Sequence, residues 1–456
     1  MYTTLVSSLI FPLHERLKGH ASVGARRDLE RTQWWSAARL EDLQVERARA
    51  LLATASREVP YYRELFANIG FESRDLHSLA DLKRLPLLTK ALIRANTEAL
   101  KRDGAGALAR SNTGGSSGEP LIFYLGKERV GHDVAAKWRA TRWWGVDIGD
   151  PETVVWGSPI ELGAQDRVRQ WRDTLLRTRL LPAFEMSPPR LDEFIASIRR
   201  QRPKMLFGYP SALSLIARHA QQRQIDMTTL GIEVAFVTSE RLYDEQRALI
   251  GRVFGCKVAN GYGGRDAGFI AHECPSAGMH ITAEDIIVEL IGADGQPVAD
   301  GTPGEIVTTH LASRDFPFIR YRTGDVAVRD PAPCACGRGL PVLREIQGRS
   351  TDFVVAADGT VMHGLALIYI LRGLAGVQAF KIVQESRART CVMLVAEPGA
   401  DLGSRRADIE RDFKRRLGES VEIDVRLVAA IAPEASGKYR YVVSHAAELH
   451  GALAHA

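Results

Sequence analysis

The chain has 456 residues, more than one hydrophobic core normally supports, so two domains of unequal size are expected. A hydrophobic content of 45% and a charged content of 25% are those of a soluble globular protein. With 60 Lys+Arg against 55 Asp+Glu the net charge is only +5, too small and too dispersed to argue for a nucleic-acid partner.

From the amino terminus, residues 1–13 lack the charged start and cleavage site of a signal peptide, and no apolar run approaches the ~20 residues of a membrane span. A cytoplasmic protein is expected. Leu5, Leu9, Ile10, Phe11 and Leu13 form a short apolar face expected to pack on the domain, with insertion into a membrane surface as the alternative. The polar and apolar spacing over 32–57 predicts a helix, ended by Val59-Pro60, and Thr89 is placed to cap another helix. A helix is predicted over 132–144, where Trp138, Trp143 and Trp144 are either core or the wall of an aryl pocket. Strands at 153–156, 204–207 and 232–237 alternate with helices at 191–201, 212–223 and 244–254, which predicts a parallel sheet with helices on both faces. Ligands of such sheets sit at the carboxyl ends of the strands. After Gly268 strands joined by turns predict a β-rich subdomain, and beyond Arg349 a βαββαβ-like order predicts a small α+β domain. The expected division is therefore 1–348 and 349–456.

Ser111-Asn112-Thr113-Gly114-Gly115-Ser116-Ser117-Gly118-Glu119-Pro120 has no bulky apolar side chain before its proline. Its glycines and hydroxyls suit a phosphate cradle built from backbone N–H groups, or else a flexible linker. No lysine follows the last glycine, so any neutralising cation comes from elsewhere in the chain. Further along stand Gly261-Tyr262-Gly263-Gly264-Arg265-Asp266, Tyr321-Arg322-Thr323-Gly324-Asp325, Gly348-Arg349-Ser350-Thr351-Asp352 and Ser436-Gly437-Lys438. Together with Val59-Pro60-Tyr61-Tyr62 and Phe207-Gly208-Tyr209-Pro210-Ser211, these stretches resemble the adenylate-forming enzymes. Within them the chain is most similar to the phenylacetate–CoA ligase family, especially its branch from capsular polysaccharide loci.

The resemblance implies a large adenylation domain and a small mobile carboxyl-terminal domain, with ATP, Mg2+ and coenzyme A as cofactors and co-substrates. It places Ser111 and Thr113 to Gly118 on the β- and γ-phosphates, Tyr262 against adenine between Gly261 and Gly263, and Asp266 at magnesium. Arg265 would meet the α-phosphate or the substrate carboxylate. Glu240 lines the nucleotide cleft or is a solvated loop acid. Asp325, read as following Thr-Gly in a tight turn, would hold the ribose hydroxyls, with Arg349 nearby, and Lys438 would be delivered to the α-phosphate by the small domain. Glu119, Arg265, Asp266 and Thr351 depart from the usual family residues.

Of five cysteines, Cys274, Cys334 and Cys336, with His280, make a tetrahedral set for a structural Zn2+, with His272 as an alternative nitrogen donor. The expected function is activation of a carboxylic acid, by the family default aromatic, to an acyl-adenylate and then transfer to coenzyme A. Phe207, Tyr209, Phe236 and Trp156 are candidates for an aryl slot. Transfer to an amine or hydroxyl of a sugar or small metabolite, and nucleotide binding without turnover, are the alternatives. The partner is a small carboxylic acid, and a homodimer is admitted.

Overall fold

The computed structural model describes residues 1–113, 121–156, 167–183, 188–349, 353–359, 361–363, 365–431 and 441–446. Two short strands, β1 (Ala109–Asn112) and β2 (Ile122–Leu125), pair as an antiparallel hairpin. One eleven-stranded sheet organises the larger domain. Its parallel half contains β3 (Glu152–Trp156), β4 (Thr178–Pro182), β5 (Met205–Gly208), β6 (Val234–Thr238) and β7 (Lys257–Gly264), ordered β7-β6-β5-β3-β4. Strands β5 and β6 are buried along their whole length, as strands covered on both faces must be.

The chain then turns back, and β8 (Gly268–Glu273), β9 (Met279–Ile281), β10 (Ile286–Ile291), β11 (Pro303–His310), β12 (Tyr321–Asp330) and β13 (Val342–Arg349) continue the same sheet in antiparallel order. The β-rich part is thus joined to the parallel part through β7 and β8. The joint between β9 and β13 is the weakest in the ladder, with two residue pairs, Val342 with His280 and Leu343 with Met279.

The helix expected over 32–57 runs Ala37–Glu58, starting later than expected because Ser36 caps it by accepting from the Arg39 N–H at 3.4 Å, and a separate helix, Ser22–Thr32, precedes it. Val59 leaves the helical region and Pro60 starts a new helix, Pro60–Ile69, at the position where a missing N–H costs nothing. Thr89 caps Lys90–Ala95 through the Leu92 N–H at 3.2 Å. Trp138 is buried, and Trp143 and Trp144 are half-buried, Trp144 against the cluster that holds Phe207 and Phe236. Each indole N–H is tied to the scaffold, donating to Asp147, Gln33 and the Glu273 carbonyl respectively.

The smaller carboxyl-terminal domain has a separate core, in which Val354, Leu367, Leu371, Phe380, Ile382, Val392 and Phe413 are buried. A hairpin of β14 (Phe353–Val355) and β15 (Val361–His363) precedes the sheet β18-β17-β16-β19 of β16 (Val377–Ser386), β17 (Arg389–Ala396), β18 (Glu422–Leu427) and β19 (Val442–Ser444). The architecture is a large β-rich α/β domain followed by a small α+β domain. Tyr441 of the small domain packs edge-on against Tyr243 of the large one, with ring centroids 5.4 Å apart. No helix among the described residues is long and apolar enough to cross a membrane.

Candidate active site

Strand β7 ends on glycines because its neighbours leave no room for side chains. A Cβ on Gly261 would lie 2.8 Å from the Phe236 ring, and one on Gly263 would lie 2.2 Å from the Gly268 carbonyl oxygen. Between them Tyr262 stands half-buried, and its hydroxyl donates to Asp325 Oδ2 at 2.7 Å. Asp325 does not sit in a turn between strands, as its Thr-Gly-Asp sequence suggested. It lies inside the ten-residue β12, where Gly324 takes a left-handed φ of +80° and breaks the pairing register with β11. Thr323 anchors this irregularity, donating to the Ile306 carbonyl at 2.8 Å and accepting from the Asp325 N–H at 3.1 Å. Across the sheet Asp325 pairs in register with Arg349 on β13.

The second carboxylate, Asp266, follows β7 in the turn to β8. Its Oδ2 accepts from the Tyr321 hydroxyl at 2.6 Å and its Oδ1 from the Ala267 N–H at 3.1 Å. The two motifs are therefore cross-linked reciprocally: each supplies a tyrosine to the other's aspartate. Arg265 lies exposed at the rim of the same turn, whereas Arg322 is turned away, held in a bidentate pair with Glu305.

Glu240, after β6, accepts from the Ser211 N–H at 3.2 Å, the first turn of helix Pro210–Gln222. Its carboxylate thereby caps the N-terminus of that helix. Ser111 lies on β1 opposite Phe123, and Thr113 closes the hairpin, exchanging bonds of 3.0 Å with both backbone groups of Leu121. Gly114, Gly115, Ser116, Ser117, Gly118 and Lys438 lie outside the described residues, as do Glu119 and Thr351.

Beneath the turn of Asp266 is a buried arrangement that the sequence did not single out. Arg129 donates through Nη2 to the Asp266 carbonyl at 3.2 Å and through Nε to Asp133 at 2.9 Å, and Asp133 faces His310 Nε2 at 3.5 Å. Gly268 leaves the space, since a Cβ there would come within 3.0 Å of all three side chains. The only sequence trace of this support is the i, i+4 spacing of Arg129 and Asp133, which is common on solvent-exposed helices.

The aromatic candidates form a stacked column at the carboxyl ends of β3, β5 and β6. Trp156 lies on Tyr209 with centroids 4.4 Å apart and on Phe207 at 5.9 Å, and Phe207 lies on Phe236 at 6.0 Å. Phe207, Tyr209 and Phe236 are buried as core; Trp156 is half-buried.

Cys274, His280, Cys334 and Cys336 converge, their donor atoms all within 4.8 Å of one another. The set takes His280; His272, its partner across β8 and β9, lies outside it. His280 Nδ1 is fixed on the Leu340 carbonyl at 3.1 Å, which leaves Nε2 facing the thiols. Burial pushes the imidazole down to about 4, so it is neutral and able to ligate, and pushes the Cys274 thiol up to about 12. Gly278 clears the centre, because a Cβ there would meet Cys334 Sγ at 2.5 Å. Three sulfurs and one imidazole nitrogen suit a closed tetrahedral zinc site. The cluster bridges the loop after β8 and the loop before β13, at the two-pair joint of the sheet.

The CapK C-terminal domain model matches residues 354–445. Protein CapK of Staphylococcus aureus is 22% identical over 409 residues, covering 89% of each chain. Phenylacetate-coenzyme A ligase of Aromatoleum evansii is 25% identical over 435 residues, covering 91% of this chain and 97% of that one. Among solved structures, 2-hydroxyisobutyryl-CoA ligase in the postadenylation state in complex with 2-HIB-AMP aligns with a TM-score of 0.72 at 22% identity, over 92% of both chains.

Proposed function

We propose that the chain is an adenylate-forming enzyme, a reading supported by its likeness to these relatives over about nine-tenths of its length, and that it couples ATP to the activation of a carboxylic acid and passes the acyl group to coenzyme A. A carboxylate oxygen of the acid attacks the α-phosphorus, the bond to the β-phosphate breaks, and pyrophosphate leaves. The thiol sulfur then attacks the acyl carbon, AMP departs, and the thiol proton goes to solvent. The reciprocal pairing of Tyr262 with Asp325 and of Tyr321 with Asp266 carries this reading. It draws the end of the parallel half-sheet and the irregularity in β12 together around two carboxylates.

In this scheme Asp325 accepts the ribose hydroxyls beside Arg349, and Tyr262 lies along the base. Asp266 would hold magnesium directly or through water, and the ion would supply charge neutralisation of the phosphates. The hairpin of β1 and β2 presents the glycine-rich segment to the β- and γ-phosphates. Arg265 and Lys438 meet the charge at the α-phosphate, Lys438 arriving with a small domain that divides from the large one near residue 349. An aromatic acid is the proposed substrate class, supported by the Trp156 and Tyr209 pair at the strand ends. Zinc at Cys274, His280, Cys334 and Cys336 is structural.

A second reading keeps the adenylation and passes the acyl group to an amine or hydroxyl of a sugar or small metabolite instead. Exchange of labelled pyrophosphate into ATP, measured over a panel of acids, tests the first step. No exchange with any acid overturns it in favour of a nucleotide-binding protein without turnover. AMP release that responds to coenzyme A supports the thioester, and release that responds only to an amine or hydroxyl selects the second reading.

A further inference from the structure

The amino-terminal helix does not pack as its apolar content led us to expect. Residues 2–18 form one continuous helical run, α-helical over Tyr2–Leu5 and Phe11–Lys18 with a π turn over Val6–Ile10. One side is docked: Val6 and Phe11 are buried, Phe11 edge-on to Trp138 at 5.1 Å, and Glu15 is turned inward to accept from Ser22 at 2.8 Å. The other side carries Leu5, Leu9, Leu13 and Leu17, which are 47%, 60%, 56% and 80% exposed. Leucines four apart drift by about 40° per step around an α-helix. The wider π turn takes up part of that drift and keeps them on one stripe.

Helix Arg167–Leu176 extends the patch with Leu175 and with Trp171, which is 74% exposed. The two elements are fastened together where the Tyr2 hydroxyl donates to the Leu175 carbonyl at 2.8 Å and Arg177 lies 5.6 Å over the Tyr2 ring. Arg16 and Lys18 are exposed on the helical run, and Arg177 and Arg179 are exposed just beyond helix Arg167–Leu176, Arg179 on β4. The single acid among residues 1–20, Glu15, is buried, and Asp173 is held by Arg172 at 2.6 Å.

We propose that this face adsorbs to an anionic lipid surface, the helical run of residues 2–18 lying in the plane of the headgroups with its leucines and Trp171 directed toward the acyl chains. Charge selects this occupant. A second copy would bring an identical cationic face against it, whereas a bilayer with acidic headgroups offers both the complementary charge and an apolar layer for the leucines. An exposed tryptophan beside an apolar stripe is the arrangement that settles at such an interface.

The test is co-sedimentation of the full chain with vesicles of phosphatidylcholine mixed with phosphatidylglycerol, against vesicles of phosphatidylcholine alone. The chain is expected to pellet with the acidic vesicles and to be released near 1 M salt, where the Debye length is about 3 Å. Its fluorescence should shift to shorter wavelength on binding, with part of that shift lost in Trp171→Phe. Leu9→Glu with Leu13→Glu should weaken partitioning by about tenfold or more, at an unchanged melting temperature because neither side chain is packed. Arg16→Ala, which leaves the stripe intact, should weaken it about fivefold. Equal pelleting with neutral and acidic vesicles, or with neither, overturns the proposal. So does light scattering that finds a dimer which the leucine variant dissociates, since the face is then a contact between copies.

Discussion

Tyr262 and Tyr321 sit in glycine-rich and strand contexts that the sequence reading treated separately, yet each phenol finds the other segment's carboxylate. A hydrogen bond to a charged acceptor contributes about 1.5–3 kcal/mol. Tyr262→Phe is therefore expected to raise the KM for ATP roughly tenfold by that loss, with the melting temperature little changed. Asp325→Ala removes the acceptor itself and should lower kcat/KM for pyrophosphate exchange by on the order of 100-fold, the worth of two charge-assisted bonds. His310 gives a pH signature. Burial first, and then the Arg129 charge, pushes its imidazole down to about 4, with Asp133 and Asp285 opposing. The unfolded chain then binds the extra proton between about 6.5 and 4, so this group's contribution to stability is present above about 6.5 and is lost as pH falls toward 4. Melting temperatures at pH 7 and pH 5 should differ more for the native chain than for His310→Gln; an equal difference would show that His310 does not carry the proton.

At the scale of elements, the turn from β7 to β8 is held from below by Arg129, which a helix far away in sequence supplies. Arg129→Ala takes the guanidinium from the half-buried Asp133 and should cost about 1–3 kcal/mol of stability. Arg129→Lys keeps the charge but cannot span Asp133 and the Asp266 carbonyl together, so it is expected to fold and to show a raised KM for MgATP at near-normal kcat. A lysine variant with native kinetics would remove Arg129 from any role in placing Asp266. The cysteine cluster acts on another element, the two-pair joint of β9 and β13. Protein purified without added metal should contain about one equivalent of zinc. Cys334→Ser should lose it and melt at a lower temperature, and a native chain with less than about half an equivalent would exclude the site.

Over the whole molecule, two separately cored domains meet at Tyr243 and Tyr441, three positions after Lys438. If the small domain delivers Lys438 for the first step alone, Lys438→Ala should abolish pyrophosphate exchange while preserving attack on a preformed acyl-adenylate. Equal loss of both half-reactions would count against a moving domain. Such a division suits a sheet whose last strand, β13, ends at Arg349, directly across from Asp325, with the next described strand in a separate hairpin.

The sequence by itself determined the alternation of helices and strands over 191–254, because their apolar periods are local. It also picked out the short motifs, because glycines, tyrosines and aspartates at fixed spacing are local patterns as well. It could not separate His272 from His280, nor a Thr-Gly-Asp turn from an irregularity inside β12, nor a packed leucine stripe from an exposed one. Those choices depend on which strands become neighbours and which helix face finds a partner. Only the tertiary structure decided them, because Tyr262 and Asp325, 63 residues apart, and Cys274 and Cys334, 60 apart, are brought together by sheet pairing that no local pattern encodes.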